Sequence, residues 1–166
     1  MNRIDTTVTG GCQCGAVRYR ATAMLDNSHL CHCRMCQKAT GNIFSALVAA
    51  PDEALSWTRG RPSVWKSSEK VERGFCANCG TPLFFHHAEN GRTNLMIGTL
   101  DDPSAFPPHS NICTENMVTW FGTITEIENT GATENNGAAW AAAIKASNNQ
   151  HPDHDTGEWE VKGLEG

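Results

Sequence analysis

The sequence lacks the features of several common protein classes. It has no run of lysine and arginine, and 18 acidic residues outnumber 13 basic ones, for a net charge of −5. This balance argues against a nucleic-acid-binding face, which needs a basic patch. No apolar run approaches the about 18 residues of a membrane span, so no membrane partner is expected. The first residues, MNRIDTTVTG, contain no apolar signal-peptide core, and we therefore expect a cytoplasmic protein.

Apolar residues are only 39% of the 166, whereas cysteine is abundant, with eight residues. The chain is long enough for one domain with a real core. Bound metal would compensate for the modest apolar content, because metal binding adds to the free energy of folding. Seven of the cysteines form three tight clusters, which are Cys12-Gln13-Cys14, Cys31-His32-Cys33-Arg34-Met35-Cys36 and Cys76-Ala77-Asn78-Cys79.

Two of these clusters are followed directly by glycine, Gly15 after the first and Gly80 after the last. Glycine adopts positive φ easily, so the chain can turn there and point backbone N–H groups at the sulfurs. Each such knuckle supplies two thiolates, which is half of a tetrahedral site. We therefore predict one closed metal site that joins the two knuckles; its ligands are Cys12, Cys14, Cys76 and Cys79.

The middle cluster lacks this glycine and places three thiolates within six residues. Cys31, Cys33 and Cys36 can bind one ion but bring no fourth thiolate with them. Structural zinc sites are closed by four ligands, whereas catalytic sites keep a position open for water or substrate. The cysteine count therefore predicts two metal ions of different kinds, with zinc as the favoured metal.

Other uses of the cysteines stay open at this point. Disulfides are disfavoured by the expected reducing compartment and by the strain of a Cys-x-Cys bridge. A redox-active Cys-x-x-Cys pair lacks a βαβ context around Cys76. Iron could fill a site of four thiolates, and one ion with spare cysteines is a further alternative.

The remaining pattern is typical of short strands. Strand candidates lie at residues 16–20, 43–50, 55–58, 63–66, 71–75, 81–86, 94–98 and 118–124, with a helical turn at 35–39 that ends near Gly41. An alanine-rich helix is predicted over Ala138–Ser147. We expect one mainly β domain over residues 8–125 and a C-terminal extension with one helix over 126–166, packed on the domain or trailing it.

These residues resemble the glutathione-dependent formaldehyde-activating (CENP-V/GFA) family. The resemblance covers roughly residues 8–122 and rests on three stretches, which are Gly10-Gly11-Cys12-Gln13-Cys14-Gly15-Ala16-Val17-Arg18-Tyr19, the middle cluster with Gly41 after it, and Phe75-Cys76-Ala77-Asn78-Cys79-Gly80-Thr81-Pro82-Leu83. A later stretch, His109-Ser110-Asn111-Ile112-Cys113, matches the family only in part.

The resemblance implies an Mss4-like fold of small antiparallel β-sheets around zinc. It also implies a structural zinc on the four knuckle cysteines and a catalytic zinc on Cys31, Cys33 and Cys36. The implied activity is that of a carbon–sulfur lyase, S-(hydroxymethyl)glutathione synthase, with glutathione as the thiol and formaldehyde as the aldehyde. The alternative is a non-catalytic zinc-stabilised binding module of the same fold. A zinc hydrolase is less attractive, because a thiolate-rich zinc is a weak Lewis acid.

Several other residues have a possible role that the sequence does not decide. We expect His32 to point outward from the cysteine turn, and residues 151–155 to form a solvated segment. His109 and Cys113 could approach the open metal site. Arg34 or Lys38 could bind a substrate carboxylate. The further candidates are His29, His86, His87, Trp57, Trp65 and Trp120.

Overall fold

The computed structural model describes residues 1–163, which form three small β-sheets and two α-helices. The strands, in chain order, are β1 Arg3–Ile4, β2 Val8–Gly11, β3 Arg18–Ala21, β4 Met24–Leu25, β5 His29–Cys31, β6 Ser45–Pro51, β7 Leu55–Arg59, β8 Ser63–Lys66, β9 Val71–Phe75, β10 Pro82–His87, β11 Arg92–Met96 and β12 Ser110–Ile112. The helices are α1 Arg34–Thr40 and α2 Ala138–Ser147. Short 3₁₀ turns lie at Asp52–Ala54, Ile97–Thr99, Pro103–Ala105, Thr114–Asn116, Phe121–Glu126 and Thr133–Asn136. Neither helix has the length and hydrophobicity of a membrane span.

The largest sheet has seven strands in the order β12-β5-β6-β11-β10-β9-β8. All of its pairs are antiparallel except the edge pair of β12 with β5, which is parallel. A second sheet has the order β2-β3-β7, and β1 pairs with β4. The predicted mainly β fold class, with antiparallel sheets and short helices, is confirmed.

The core lies between the seven-stranded and the three-stranded sheet. Strand β6 has a continuous apolar sequence because both of its faces are covered. Val48 of this strand is opposite Leu95 of β11, and both are fully buried. Tyr19 of β3 is buried beside them and packs edge-on against Trp57 of β7. The core role of Trp57 follows from this packing.

The strand predicted over residues 118–124 is wrong, because this segment forms a 3₁₀ turn from Phe121 to Glu126. Phe121 and Ile124, three residues apart, are its half-buried side chains, whereas the residues between them are exposed. This spacing matches the 3₁₀ period of three rather than the strand period of two. The strand expected over 94–98 likewise ends at Met96, where a 3₁₀ turn begins.

The helix predicted in the C-terminal region is confirmed with its bounds. The expectation of a solvated segment over 151–155 is wrong for His151, whereas residues 153–155 are exposed. His151 is buried and its N–H donates to the carbonyl oxygen of Gln13 over 2.7 Å. Asp155 accepts hydrogen bonds from the guanidinium groups of Arg18 and Arg20. The chain therefore returns to the first knuckle after α2, and a domain boundary near residue 125 stays a prediction.

Candidate metal centres

Four cysteines from two distant parts of the chain meet at one point. The sulfur atoms of Cys12, Cys14, Cys76 and Cys79 all lie within 4.8 Å of one another. The turn after each pair depends on glycine, since Gly15 has φ 75° and Gly80 has φ 76°. In both turns the glycine N–H donates to the carbonyl oxygen of the first cysteine, over 3.1 and 2.9 Å. The structure therefore brings together the two knuckles, which the sequence analysis paired because each is followed by glycine.

Hydrogen bonds from neighbouring groups reach the knuckle sulfurs. The N–H of Val17 lies 3.2 Å from Sγ of Cys12, and the Thr81 hydroxyl lies 3.1 Å from Sγ of Cys79. Burial raises the pKa of Cys12 and of Cys14. Burial also opposes ionisation of Cys79, but hydrogen bonds with Thr81 and Cys14 together outweigh it and lower the pKa of that thiol to about 6. A cation is needed to ionise Cys12 and Cys14, which is what a metal ion supplies.

The other three clustered cysteines meet where β5 leads into α1. Cys31 ends the strand, Cys33 is the N-cap of the helix and Cys36 lies in its first turn. Sγ of Cys33 accepts a hydrogen bond from the N–H of Cys36 over 3.3 Å, the usual arrangement of an N-cap side chain. The helix ends at Gly41, which has a left-handed φ of 63°. The three sulfur atoms lie within 4.8 Å of one another.

A buried arginine lies against this second cluster. The Nη2 group of Arg73, on β9, is 3.6 Å from Sγ of Cys36. The hydrogen bond with Cys31 lowers the pKa of Cys36 most, and the charge and hydrogen bond of Arg73 help to bring it to about 5. The same pairing with Cys36, together with burial, raises the pKa of Cys31. Cys36 is thus the thiol of this cluster that ionises first.

The sulfur spacings fit a tetrahedral metal ion. With a Zn–S bond of about 2.3 Å, the sulfurs of a tetrahedral site are about 3.8 Å apart. The observed distances are 3.6 Å for Cys12–Cys14, 3.8 Å for Cys14–Cys76 and 3.6 Å for Cys31–Cys33. No pair among residues 1–163 forms a disulfide. The two clusters can therefore hold metal ions, one with four thiolates and one with three.

The three-cysteine cluster has no fourth ligand from the described part of the chain. The expectation that His32 points outward is wrong, because its side chain is fully buried, at 0% exposure. Its ring stacks edge-on against Phe44 and Phe121, and Nε2 lies 2.9 Å from the Oδ1 atom of Asn111. Phe44 and Phe121 therefore enclose this ring, and Asn111 of β12 is its polar partner.

The remaining candidates lie apart from the sulfurs. His109 and Cys113 are both exposed, and neither belongs to a cluster of metal-binding groups. Nδ1 of His29 is 2.6 Å from the carbonyl oxygen of Asn27. His86 pairs with Asp52, and His87 is the next and last residue of the same strand, β10. None of these histidines reaches either group of sulfurs.

The exposed face of α1 forms one side of a groove. Arg34, Met35 and Lys38 line it together with Trp65 of β8, whose side chain is 60% exposed. A second pocket of about 270 Å³ adjoins it and is lined by Trp65, Arg73 and other mostly apolar residues. Trp120, in contrast, is half exposed and lines neither of these two pockets.

Arg73 was not among the residues singled out from the sequence. The sequence does contain an indication that Arg73 is buried. Arg73 lies two residues from both Val71 and Phe75 along β9 and therefore shares a face with two apolar side chains. A cation at such a position needs a partner of opposite charge. Only the fold shows that this partner is a cysteine 37 residues earlier in the chain.

This fold and these two clusters define a mainly β protein with two cysteine clusters that can each hold a metal ion. The profile of a known family, glutathione-dependent formaldehyde-activating enzyme, matches residues 7–116. The match includes all seven clustered cysteines and more than half of the chain. The chain therefore belongs to this family.

Relatives share the same part of the chain at moderate identity. An "uncharacterized lyase" of Schizosaccharomyces pombe is 31% identical over 88 residues, which are 53% of this chain and 63% of that protein. A "putative glutathione-dependent formaldehyde-activating enzyme" of Phaeosphaeria nodorum is 32% identical over 75 residues, or 44% of this chain and 40% of that protein. The chain thus matches less than two thirds of the length of either relative.

A solved structure shares the fold. The crystal structure of a Rhodobacter sphaeroides protein superposes with a TM-score of 0.52 at 20% identity. The superposition covers 62% of this chain and 98% of that one. The likeness includes nearly the whole of the smaller protein, so this chain carries additional residues around a common β framework.

Proposed function

We propose that the chain is a zinc-dependent carbon–sulfur lyase that resembles S-(hydroxymethyl)glutathione synthase. It would promote the reversible addition of a thiol, such as glutathione, to an aldehyde, such as formaldehyde. The observation that carries this proposal is the three-cysteine cluster, which has three thiolates and no fourth ligand from residues 1–163. The family membership and the names of the relatives support it.

Each residue of the two clusters has a role in this proposal. Cys12, Cys14, Cys76 and Cys79 would hold a closed structural zinc that ties the first knuckle to the second. Cys31, Cys33 and Cys36 would hold the catalytic zinc. When bound there, zinc supplies a cation that ionises a thiol whose pKa in water is about 8.5.

The reaction needs a thiolate, an aldehyde and a proton. The thiolate sulfur attacks the carbonyl carbon, so a C–S bond forms as the C=O π bond breaks. The carbonyl oxygen takes up the proton that the thiol released, which gives the hydroxymethyl thioether. No oxidant or reductant is involved.

The protein contributes position and exclusion of water. The groove beside α1 is lined by Arg34 and Met35, which lie between Cys33 and Cys36 in the sequence. The apolar surfaces of Met35 and Trp65 in this groove would limit hydration of a bound aldehyde. Arg34 and Lys38, one helical turn apart on the exposed face of α1, are placed to bind the carboxylates of a thiol such as glutathione. Holding both reactants together converts a bimolecular addition into a local one.

The proposal also includes the location of the protein and the kind of partner that it binds. We propose that it acts in the cytoplasm, since clustered cysteines bind metal only when reduced. We also propose small molecules as its partners. The formal charge of −5 gives no support to nucleic acid as a partner.

Exchange NMR of formaldehyde with glutathione tests the activity directly. Zinc-loaded protein is expected to accelerate exchange between the free aldehyde and the adduct, and chelation is expected to abolish this acceleration. C31S should lose one zinc equivalent and the activity, whereas C113S, which changes an exposed cysteine outside both clusters, should keep both. Unchanged exchange in C31S would refute the site, and no acceleration by native protein would favour a non-catalytic binding module.

A further inference from the structure

Arg73 is a buried cation without an acidic partner. Its side chain is only 5% exposed. Among residues 1–163, no carboxylate oxygen lies within 4.0 Å of a nitrogen of its guanidinium group. A guanidinium does not lose its proton in proteins, and burial of an uncompensated charge is costly. Some other group must therefore carry the balancing negative charge.

The contacts of the guanidinium indicate what that group is. Nε donates to the Ser67 hydroxyl over 3.2 Å, and the group lies 5.1 Å from the centre of the Phe85 ring. Both contacts fix its orientation, but neither partner is an anion. The remaining polar contact is Nη2 with Sγ of Cys36, at 3.6 Å. A cysteine thiolate is thus the anion available to Arg73.

The charge count of the three-cysteine cluster agrees with this assignment. Three thiolates and one divalent cation carry a net charge of −1, and Arg73 brings the buried group to zero. In the described part of the chain, no arginine bonds to a sulfur of the four-cysteine cluster, whose sulfurs contact the Thr81 hydroxyl and the N–H of Val17 instead. The two clusters therefore differ in their surroundings as well as in their ligand number.

We propose that Arg73 is a positioning residue of the three-cysteine metal centre, where it orients Cys36 and balances the charge of the thiolates so that this cluster retains its metal. This inference rests on the proposed function only in that it places zinc on Cys31, Cys33 and Cys36. The Nη1 group of Arg73 is buried and has no hydrogen-bond partner among residues 1–163. It remains a free donor beside the cluster.

Zinc retention by the full-length protein tests this role without thiol or aldehyde present. R73Q keeps a polar side chain of similar reach but removes the charge. Loss of a group that orients a metal ligand typically weakens metal binding by about 10- to 100-fold. We expect a loss of this size for one of the two zinc equivalents of R73Q, measured by competition with a chromophoric chelator. The other equivalent, on the four-cysteine cluster, serves as the internal control.

Two further variants make the result specific. R73K keeps the charge but not the planar fork, so its zinc affinity should lie between those of native protein and R73Q. R61Q removes an exposed arginine that lies outside both clusters and outside the groove beside α1, and should leave both equivalents unchanged. If R73Q folds poorly, R73K and R61Q still provide the comparison of a weakened site with an unchanged one.

The outcomes distinguish this inference from the lyase proposal. Native affinity at both sites in R73Q and R73K would overturn the role of Arg73. Equal weakening of both sites would also overturn it, because it would indicate a general loss of stability. Failure of native protein to accelerate thiol–aldehyde exchange would remove the proposed function and leave the zinc measurement interpretable.

Discussion

The indole Nε1 group of Trp159 donates a 2.8 Å hydrogen bond to the carbonyl oxygen of Cys14. This contact joins the C-terminal segment to the first knuckle across 145 residues of sequence. The ring of Trp159 also packs edge-on against the buried His151. The segment after α2 thus covers one side of the four-cysteine cluster, and its contacts should contribute to stability.

Two variants of Trp159 should separate the contribution of its hydrogen bond to stability from that of its packing. W159F removes the hydrogen bond but keeps a ring, and should lower the free energy of unfolding by about 1 kcal/mol. W159A also removes the packing of a partly buried aromatic ring and should cost about 3 kcal/mol. Urea unfolding of zinc-loaded protein measures both. The control is W140F on α2, where the side chain is mostly exposed; a loss as large as that of W159F there would contradict the argument.

The two knuckle glycines should respond unequally to alanine. Both have φ near 75°, where a side chain costs roughly 1–2 kcal/mol. A Cβ at Gly80 meets open space, whereas one at Gly15 would lie 2.3 Å from Cδ2 of His151 and 2.6 Å from Nε1 of Trp159. G80A should therefore show the conformational cost alone, and G15A a greater loss as the C-terminal segment is displaced. Equal unfolding free energies of the two variants would argue against a packed segment.

Part of the stability that the protein loses at acidic pH should come from Asp101. Its carboxylate accepts two hydrogen bonds from Arg18, over 2.7 and 2.6 Å, in a largely buried pair. Burial opposes ionisation, but the bonds from Arg18 and Thr9 and the charge of Arg18 outweigh it and lower the pKa of Asp101. A depressed folded-state pKa stabilises the protein above the unfolded-state value of about 3.9, and this contribution is lost as pH falls through the folded-state pKa.

The native protein and D101N should therefore differ most at neutral pH. The difference in unfolding free energy is expected to be about 3 kcal/mol at pH 7, because one partner of a buried pair is lost, and to shrink below about pH 4. D153N, which changes an exposed carboxylate, should follow the native curve. A difference that stays constant down to pH 3 would exclude Asp101 as the source.

Chelation should remove the two metal ions in separate steps. The three-cysteine cluster offers three protein ligands and the other cluster four, so the first equivalent should leave the three-cysteine site. Far-UV circular dichroism should change little in this step and strongly in the second, because the four-cysteine site joins the two knuckles. C33S should lack the first step and keep the second. Loss of secondary structure with the first equivalent would contradict this order.

The sequence indicated the sulfur clusters and most strands for clear physical reasons. Glycine placement determines the knuckle turns locally, and the apolar run of β6 reflects burial on both faces. These are properties of neighbouring residues, which a sequence displays directly. The strand pattern also indicated the mainly β fold class, and the family resemblance added the Mss4-like fold and the proposed chemistry.

What the sequence left out depends on contacts between distant segments. His32 is turned inward by Asn111 and Phe121, which lie about 80 to 90 residues later. The C-terminal segment looks solvated by composition, yet Asp155 meets Arg18 across the fold. Arg73 acquires its anion only when β9 lies beside α1. Such pairings have no local periodic signal and therefore escape pattern-based reasoning.

Strand β9 carries Arg73 to one cluster and then leads within three residues to Cys76 of the other. Because successive side chains in a strand point to opposite sides, inserting or deleting one residue in this interval would turn the guanidinium away from Cys36. Every cysteine would still be present in the chain, but Arg73 could no longer face Cys36 while Cys76 faces the four-cysteine cluster. The length of this interval is thus a geometric constraint on the protein, and added residues fit better in the exposed turn at 88–91.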